Sequence, residues 1–170
     1  LALSLYKGIK LRSFADDSKI YKFIVSIIDC ICLQMVLNQV AIWSDLWQLT
    51  LNCDKSLVLH LGNANPRYVY TIKGCPLSAP DYVRDLGIIM SKSLFFHDHV
   101  KQIIANFHRK LFLVRKCFHY INELTLKTLY LTYLRPTIEY GSALWAPHSK
   151  SEIDDLQSLQ DKALLLCNNT

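Results

Sequence analysis

Short alternating runs open the chain. Lys10 to Phe14 and Lys19 to Val25 each alternate apolar and polar residues, and Ala15-Asp16-Asp17-Ser18 between them is turn-forming, so the pattern predicts a β-hairpin with two adjacent carboxylates at its tip. From Ile28 to Leu46 the period lengthens. Leu33, Val36, Leu37, Val40, Trp43 and Trp47 recur at steps of three and four, which predicts an amphipathic helix with both tryptophans in the core. Leu49 to Asn52 reads as a loop, and Ser56 to Leu61 as a strand ended by Gly62-Asn63. Arg67 to Ile72 and Tyr82 to Ile89 read as further short strands around a turn-rich stretch with Gly74, Pro76 and Pro80. Beyond Asp98 the texture is helical. Helices are expected over about Val100 to His119, Leu124 to Leu134 and Ser151 to Leu166, the second stopped by Pro136 and the third loosely capped by Ser151 with Asp154. The fold class expected is α+β, with residues 1–90 mixed and residues 91–170 all-helical.

Composition narrows the classes. The 170 residues are 51% hydrophobic, enough for a real core and against disorder. A net charge of +5 and a pI near 8.9 favour a polyanionic partner without identifying one. Its distribution says more. No acidic residue falls between His99 and Glu123, while Lys101, Arg109, Lys110, Arg115 and Lys116 do, with His108 and His119. Such a helix can track a phosphate backbone through salt-sensitive contacts that carry no sequence information.

Cys30, Cys32, Cys53, Cys75, Cys117 and Cys167 form no C-x-x-C pair, so they are expected as reduced, mostly buried thiols of an intracellular protein. Lys7, Lys10 and Arg12 break up the apolar start, unlike a signal peptide. Asp29, Gln34, Asn38 and Gln39 interrupt the apolar stretch from Phe23 to Val40, so no membrane span and no membrane partner are expected. His97-Asp98-His99 is better explained by Asp98 capping a helix than by a zinc site, because residues two apart on a helix face different ways. The chain opens on Leu1 and closes on Asn168-Asn169-Thr170 directly after an apolar run, and it reads as a piece of a longer polypeptide.

In order along the chain, these features resemble the reverse transcriptase of non-LTR, LINE-type retrotransposons. Phe14-Ala15-Asp16-Asp17 with Lys19 and Tyr21 resembles polymerase motif C. Leu33-Gln34, Leu37-Asn38, Trp43, Trp47, Leu49-Thr50-Leu51-Asn52 and Lys55-Ser56 resemble motif D. Arg84-Asp85-Leu86-Gly87-Ile88, then Leu94-Phe95-Phe96 and His99-Val100, resemble motif E and the entry to the thumb. Leu129-Tyr130, Arg135-Pro136, Glu139-Tyr140-Gly141-Ser142 and Trp145 resemble the region that follows. Val36 departs from the family pattern, in which an acidic residue is usual.

The resemblance implies the carboxyl-terminal part of a polymerase palm over residues 1–90, with primer-grip-like strands, and a helical thumb and connecting region over residues 91–170. It implies Asp16 as a direct ligand and Asp17 as a supporting one for Mg²⁺, two ions in the intact parent, with Mn²⁺ able to substitute. Lys55 matches the motif D lysine, a proton donor or charge stabiliser at the departing pyrophosphate. Leu86 and Gly87 match the primer grip, and the parent's partners are an RNA template, a DNA primer and deoxynucleoside triphosphates. The aspartate of motif A and the template-binding motif B have no match here. The isolated chain is therefore expected to be inactive. The rival reading is a non-catalytic nucleic-acid-binding or interaction module from a decayed retroelement, and a third is an unrelated α+β domain with an acidic turn.

Overall fold

A computed structural model describes residues 8–118 and 121–165. Both α and β elements are present, in an α+β arrangement that divides into two compact units. The first holds residues up to Val83 together with Ser91–Ser93, and the second holds Arg84–Met90 and everything from Leu94 onward.

The first unit begins with the expected hairpin. Strands β1 (Ile9–Phe14) and β2 (Asp17–Lys22) pair antiparallel from Ile9↔Lys22 to Phe14↔Asp17, leaving Ala15 and Asp16 as a two-residue turn. Helix α1 (Ile27–Leu46) follows, capped at Ser26. Asp29 Oδ2 accepts from the backbone N–H groups of Ser26 (3.0 Å) and Val25 (3.1 Å), while Lys22 Nζ reaches its Oδ1 at 3.2 Å. Those backbone donors, then the Lys22 ammonium, hold the Asp29 carboxyl down at about 2. The end of the hairpin is thus tied to the start of the helix.

α1 buries Cys30, Val36, Ala41 and Ser44. The tryptophans do not form its core: Trp47 is exposed, Trp43 is half-buried, and their rings meet each other at 6.4 Å. The reason is that α1 is apolar on nearly every side, so periodicity alone does not choose the buried face; packing on a strand does. That strand is β3 (Thr71–Ile72), paired with β4 (Cys75–Pro76). Gln34 extends it, donating to Thr71 O at 2.8 Å and accepting from Thr71 N–H at 2.9 Å. Among the described residues α1 is the one helix long and apolar enough to cross a membrane, contrary to the expectation from its four polar residues. Gln34 and Asp29 give it polar ties to a folded unit.

The strand expected at Ser56–Leu61 is absent. A single bridge, Leu57↔Ser78, stands in its place, with Val58 N–H donating to Ser78 O at 2.9 Å. Arg67 to Ile72 shortens to β3. Tyr82 to Ile89 is not one strand but a hairpin, β5 (Tyr82–Asp85) and β6 (Ile88–Ser91), turning at Leu86-Gly87.

In the second unit α2 (His97–Cys117) buries His99, Val100, Ile103, Phe107, Leu111 and Val114 along one stripe. It packs against α4 (Arg135–Glu139) and α6 (Lys150–Leu164). Its N-cap is Phe96 rather than Asp98, which lies in the first turn, where a carboxylate complements the helix dipole. Helix α3 (Glu123–Leu129) runs through a π-helical turn, Tyr130–Leu134, into α4. Pro136 therefore does not stop the helix: it occupies the first turn of α4, where a missing N–H is tolerated. Gly141, at φ 65, ends α4 and opens the short α5 (Ser142–Trp145). α6 starts at Ser149, whose hydroxyl accepts from Glu152 N–H at 3.2 Å, so the cap lies two residues before the expected Ser151. Trp145, Phe107, Leu134 and Leu159 are among the fully buried side chains of this core. Only Cys30 of the five described cysteines is buried, since Cys75 lies on a two-residue strand and Cys117 at a helix end. His119, Leu166 and Cys167 lie outside the described residues.

Candidate nucleic-acid interface

The two carboxylates sit where the alternation put them. Asp16 is in the turn and Asp17 is the first residue of β2, both exposed. Ala15 takes φ 48, which turns the chain sharply enough to leave both side chains at the tip. Carboxylate oxygens are the donors Mg²⁺ takes, but no group of three or more His, Cys, Asp or Glu converges among the described residues. Asp16 and Asp17 thus fit part of a donor set. Lys55 lies in the first unit on the turn after α1, its N–H donating to Asn52 Oδ1 at 3.0 Å and its side chain exposed.

The second unit gathers more. A cleft of about 780 Å³ is lined by Arg84 and Gly87 from the hairpin, by Gln102, Asn106, Arg109 and Lys110 from α2, and by Tyr133, Thr137 and Tyr140 from the facing helical segment. Helical spacing explains the selection: Gln102, Asn106, Arg109 and Leu113 are three or four apart and share one side of α2. Lys101, His108 and Arg115 follow a different stripe, and neither Lys101, Arg115 nor Lys116 lines the cleft. The basic run therefore divides.

Lys110 is engaged. Its ammonium donates to Thr137 Oγ1 at 2.7 Å and Tyr133 O at 3.2 Å, and stands 4.7 Å from the Tyr133 ring centroid. Arg109 donates to Asn106 Oδ1 along the same helix. At the hairpin tip Leu86 and Gly87 both take positive φ, 46 and 86, the arrangement of a tight two-residue turn. Gly87 thus serves a turn, rather than a bulge or a crowded strand.

His99, which the sequence offered only as part of a declined zinc cluster and of a motif match, helps hold that turn. His99 is buried, its Nδ1 accepting from Ile89 N–H at 3.3 Å, and its ring makes a T-shaped contact with Trp145 at 5.5 Å. Its proton must then sit on Nε2, which is buried without a hydrogen-bond partner among the described residues. Burial, then the charge of Arg84, lowers its pKa. His97, two residues earlier, is exposed and pairs with Glu152 at 2.7 Å; this hydrogen bond lowers the Glu152 carboxyl. A Ser-x-x-Glu spacing at Ser149 and Glu152 was the available signal for that end of α6.

Comparison with known proteins bears on the chain as a whole. The chain is 26% identical over 170 aligned residues, 96% of its length, to the probable RNA-directed DNA polymerase from transposon X-element of Drosophila melanogaster. It is 26% identical over 138 residues, 78% of its length, to the probable RNA-directed DNA polymerase from transposon BS of the same organism. The chain is similar to reverse transcriptases of non-LTR transposons. It spans 19% and 15% of the lengths of those two relatives. No family model matches the chain, and no solved structure matches it.

Proposed function

We propose that the chain is the carboxyl-terminal palm portion and helical thumb of a reverse transcriptase, and that its second unit holds a primer–template strand in the cleft between α2 and the β5–β6 hairpin. The observation that carries this reading is the cleft itself. Two guanidinium groups, two side-chain amides and the backbone of a glycine turn border one groove, in a chain similar to RNA-directed DNA polymerases. Guanidinium groups neutralise phosphate, and a glycine lets a backbone come close to it.

In the parent enzyme Asp16 and Asp17 contribute oxygen ligands to Mg²⁺, which supplies charge stabilisation in nucleotidyl transfer. Lys55 serves there as a proton donor or charge stabiliser, Leu86 and Gly87 hold the primer end, and Lys101, Arg115 and Lys116 add phosphate contacts beyond the cleft. The setting is intracellular. Alone, the chain binds nucleic acid and does not polymerise, because two adjacent carboxylates are only part of the donor set.

The test is anisotropy titration of a labelled DNA primer annealed to an RNA template across salt concentrations. Affinity should fall with salt, and Arg109→Gln should weaken it while reducing the salt slope by about 1, the loss of one phosphate contact. Salt-independent binding, or no effect of Arg109→Gln, overturns the cleft assignment. Nucleotide incorporation that disappears on Asp16→Ala overturns the claim of inactivity.

A further inference from the structure

The primer-end turn is built from a conformation that leucine disfavours. Leu86 takes φ 46, in the left-handed region where a Cβ meets its own carbonyl, and a bond that holds it there comes from outside the turn. Its donor lies 54 positions along the chain. Tyr140 Oη donates to Leu86 O at 2.8 Å, so the peptide carbonyl of the strained residue is itself the acceptor. The Tyr140 ring also lies beside Gly87: a Cβ on Gly87 would stand 3.6 Å from its Cε1.

Tyr140 is fixed in turn. Trp145 Nε1–H donates to Tyr140 O at 2.7 Å, and Trp145 is fully buried, so the indole anchors the backbone that carries the phenol. Gly141 comes so close to the hairpin that a Cβ there would lie 2.6 Å from Ile88 Cδ1. His99 Nδ1 accepts from another hairpin donor, Ile89 N–H. The tip is held at Leu86 by Tyr140, at Ile88 by Gly141 and at Ile89 by His99. Of these, the Tyr140 hydroxyl is the contact that can be removed without disturbing the core, since its ring is largely exposed.

We infer that Tyr140 is a positioning residue, whose hydroxyl fixes the Leu86-Gly87 turn in the conformation that meets a nucleic-acid strand in the cleft. This inference rests on the strand-binding reading above. Tyr140 contributes no charge, so it acts on the fit of the strand and leaves counterion release unchanged.

The experiment compares the full chain with Tyr140→Phe, which keeps the ring. Binding of the labelled primer–template is measured at a temperature where both are folded, together with amide hydrogen exchange at Gly87, Ile88 and Ile89. Tyr140→Phe should speed exchange at these three amides and weaken binding roughly two- to tenfold, the range for one lost hydrogen bond, with the salt slope unchanged. A stability role alone would leave the affinity of the folded chain unaltered. Equal affinity, whether or not exchange rises, overturns the inference while leaving the cleft standing. A wild-type chain that binds no primer–template overturns the strand-binding reading, and the inference falls with it.

Discussion

Gly141 is the residue where backbone geometry and packing make the same demand. Its φ of 65 is one an L side chain adopts with strain, and an added Cβ would meet Ile88 Cδ1 at 2.6 Å, inside a core where Ile88 is buried. Gly141→Ala should therefore destabilise the second unit by about 1–3 kcal/mol, read as a lower urea midpoint from Trp145 fluorescence. An unchanged midpoint would mean that Ile88 moves aside and the left-handed turn carries no strain. At this scale the sequence was partly legible. Asp16 and Asp17 at a hairpin tip followed from alternation around turn residues, and the different facing of His97 and His99 followed from helical spacing. Tyr140 and Trp145 were visible only as motif residues, because a hydroxyl reaching a carbonyl 54 positions away has no local signal.

Elements were legible where local pattern and tertiary partner agree. The β1–β2 hairpin and α1 came within a few residues of expectation, as did α2, whose apolar stripe is sharply one-sided. Ser56 to Leu61 failed because an apolar run does not by itself supply a ladder partner: its backbone makes a single bridge, and Leu57 and Leu61 stay exposed. Pro136 misled for a related reason: a π-helical turn just before it shifts the register, so that proline falls on a first turn instead of an interior position. α1 hides its buried face in an all-round apolar composition, and a polar residue reveals it. Gln34 satisfies both backbone groups of Thr71, acting as a one-residue strand beside β3. Gln34→Met keeps the length and the helix propensity but leaves Thr71 N–H and C=O without that partner. We expect a loss of about 1–3 kcal/mol in the first unit, measured by urea unfolding through Trp43 and Trp47. A neutral substitution would show that water replaces the amide and that burial of Val36 and Ala41 alone seats the helix.

The whole molecule carries two units whose titrating contacts fail in different pH ranges. In the second, burial and Arg84 lower the pKa of His99 from 6.5, so the unfolded chain takes up its proton before the folded one does. The contribution of neutral His99 is complete above about pH 6.5 and is lost as pH falls below that towards the lower folded value. Glu152, lowered from 4.5 by its hydrogen bond to His97, adds a second loss below that value. In the first unit the corresponding group is Asp29, lowered from 3.8 to about 2; its contribution is full above 3.8 and disappears as pH falls through about 2. The order of failure follows from these signs. Trp145 alone, in a Trp43→Phe/Trp47→Phe variant, reports the second unit, and Trp145 touches the His99 ring itself. Its urea midpoint should fall between about pH 7 and about pH 5, whereas amide exchange along α1 should keep its protection until about pH 4 or below. His99→Asn, which retains a side-chain acceptor for Ile89 N–H but cannot take up a proton, should flatten the first of these trends. A Trp145 midpoint that is already level between about pH 7 and about pH 5 in the Trp145-only protein would mean that His99 protonates equally well folded and unfolded, and that losing the Ile89 N–H bond to its Nδ1 costs the fold nothing measurable.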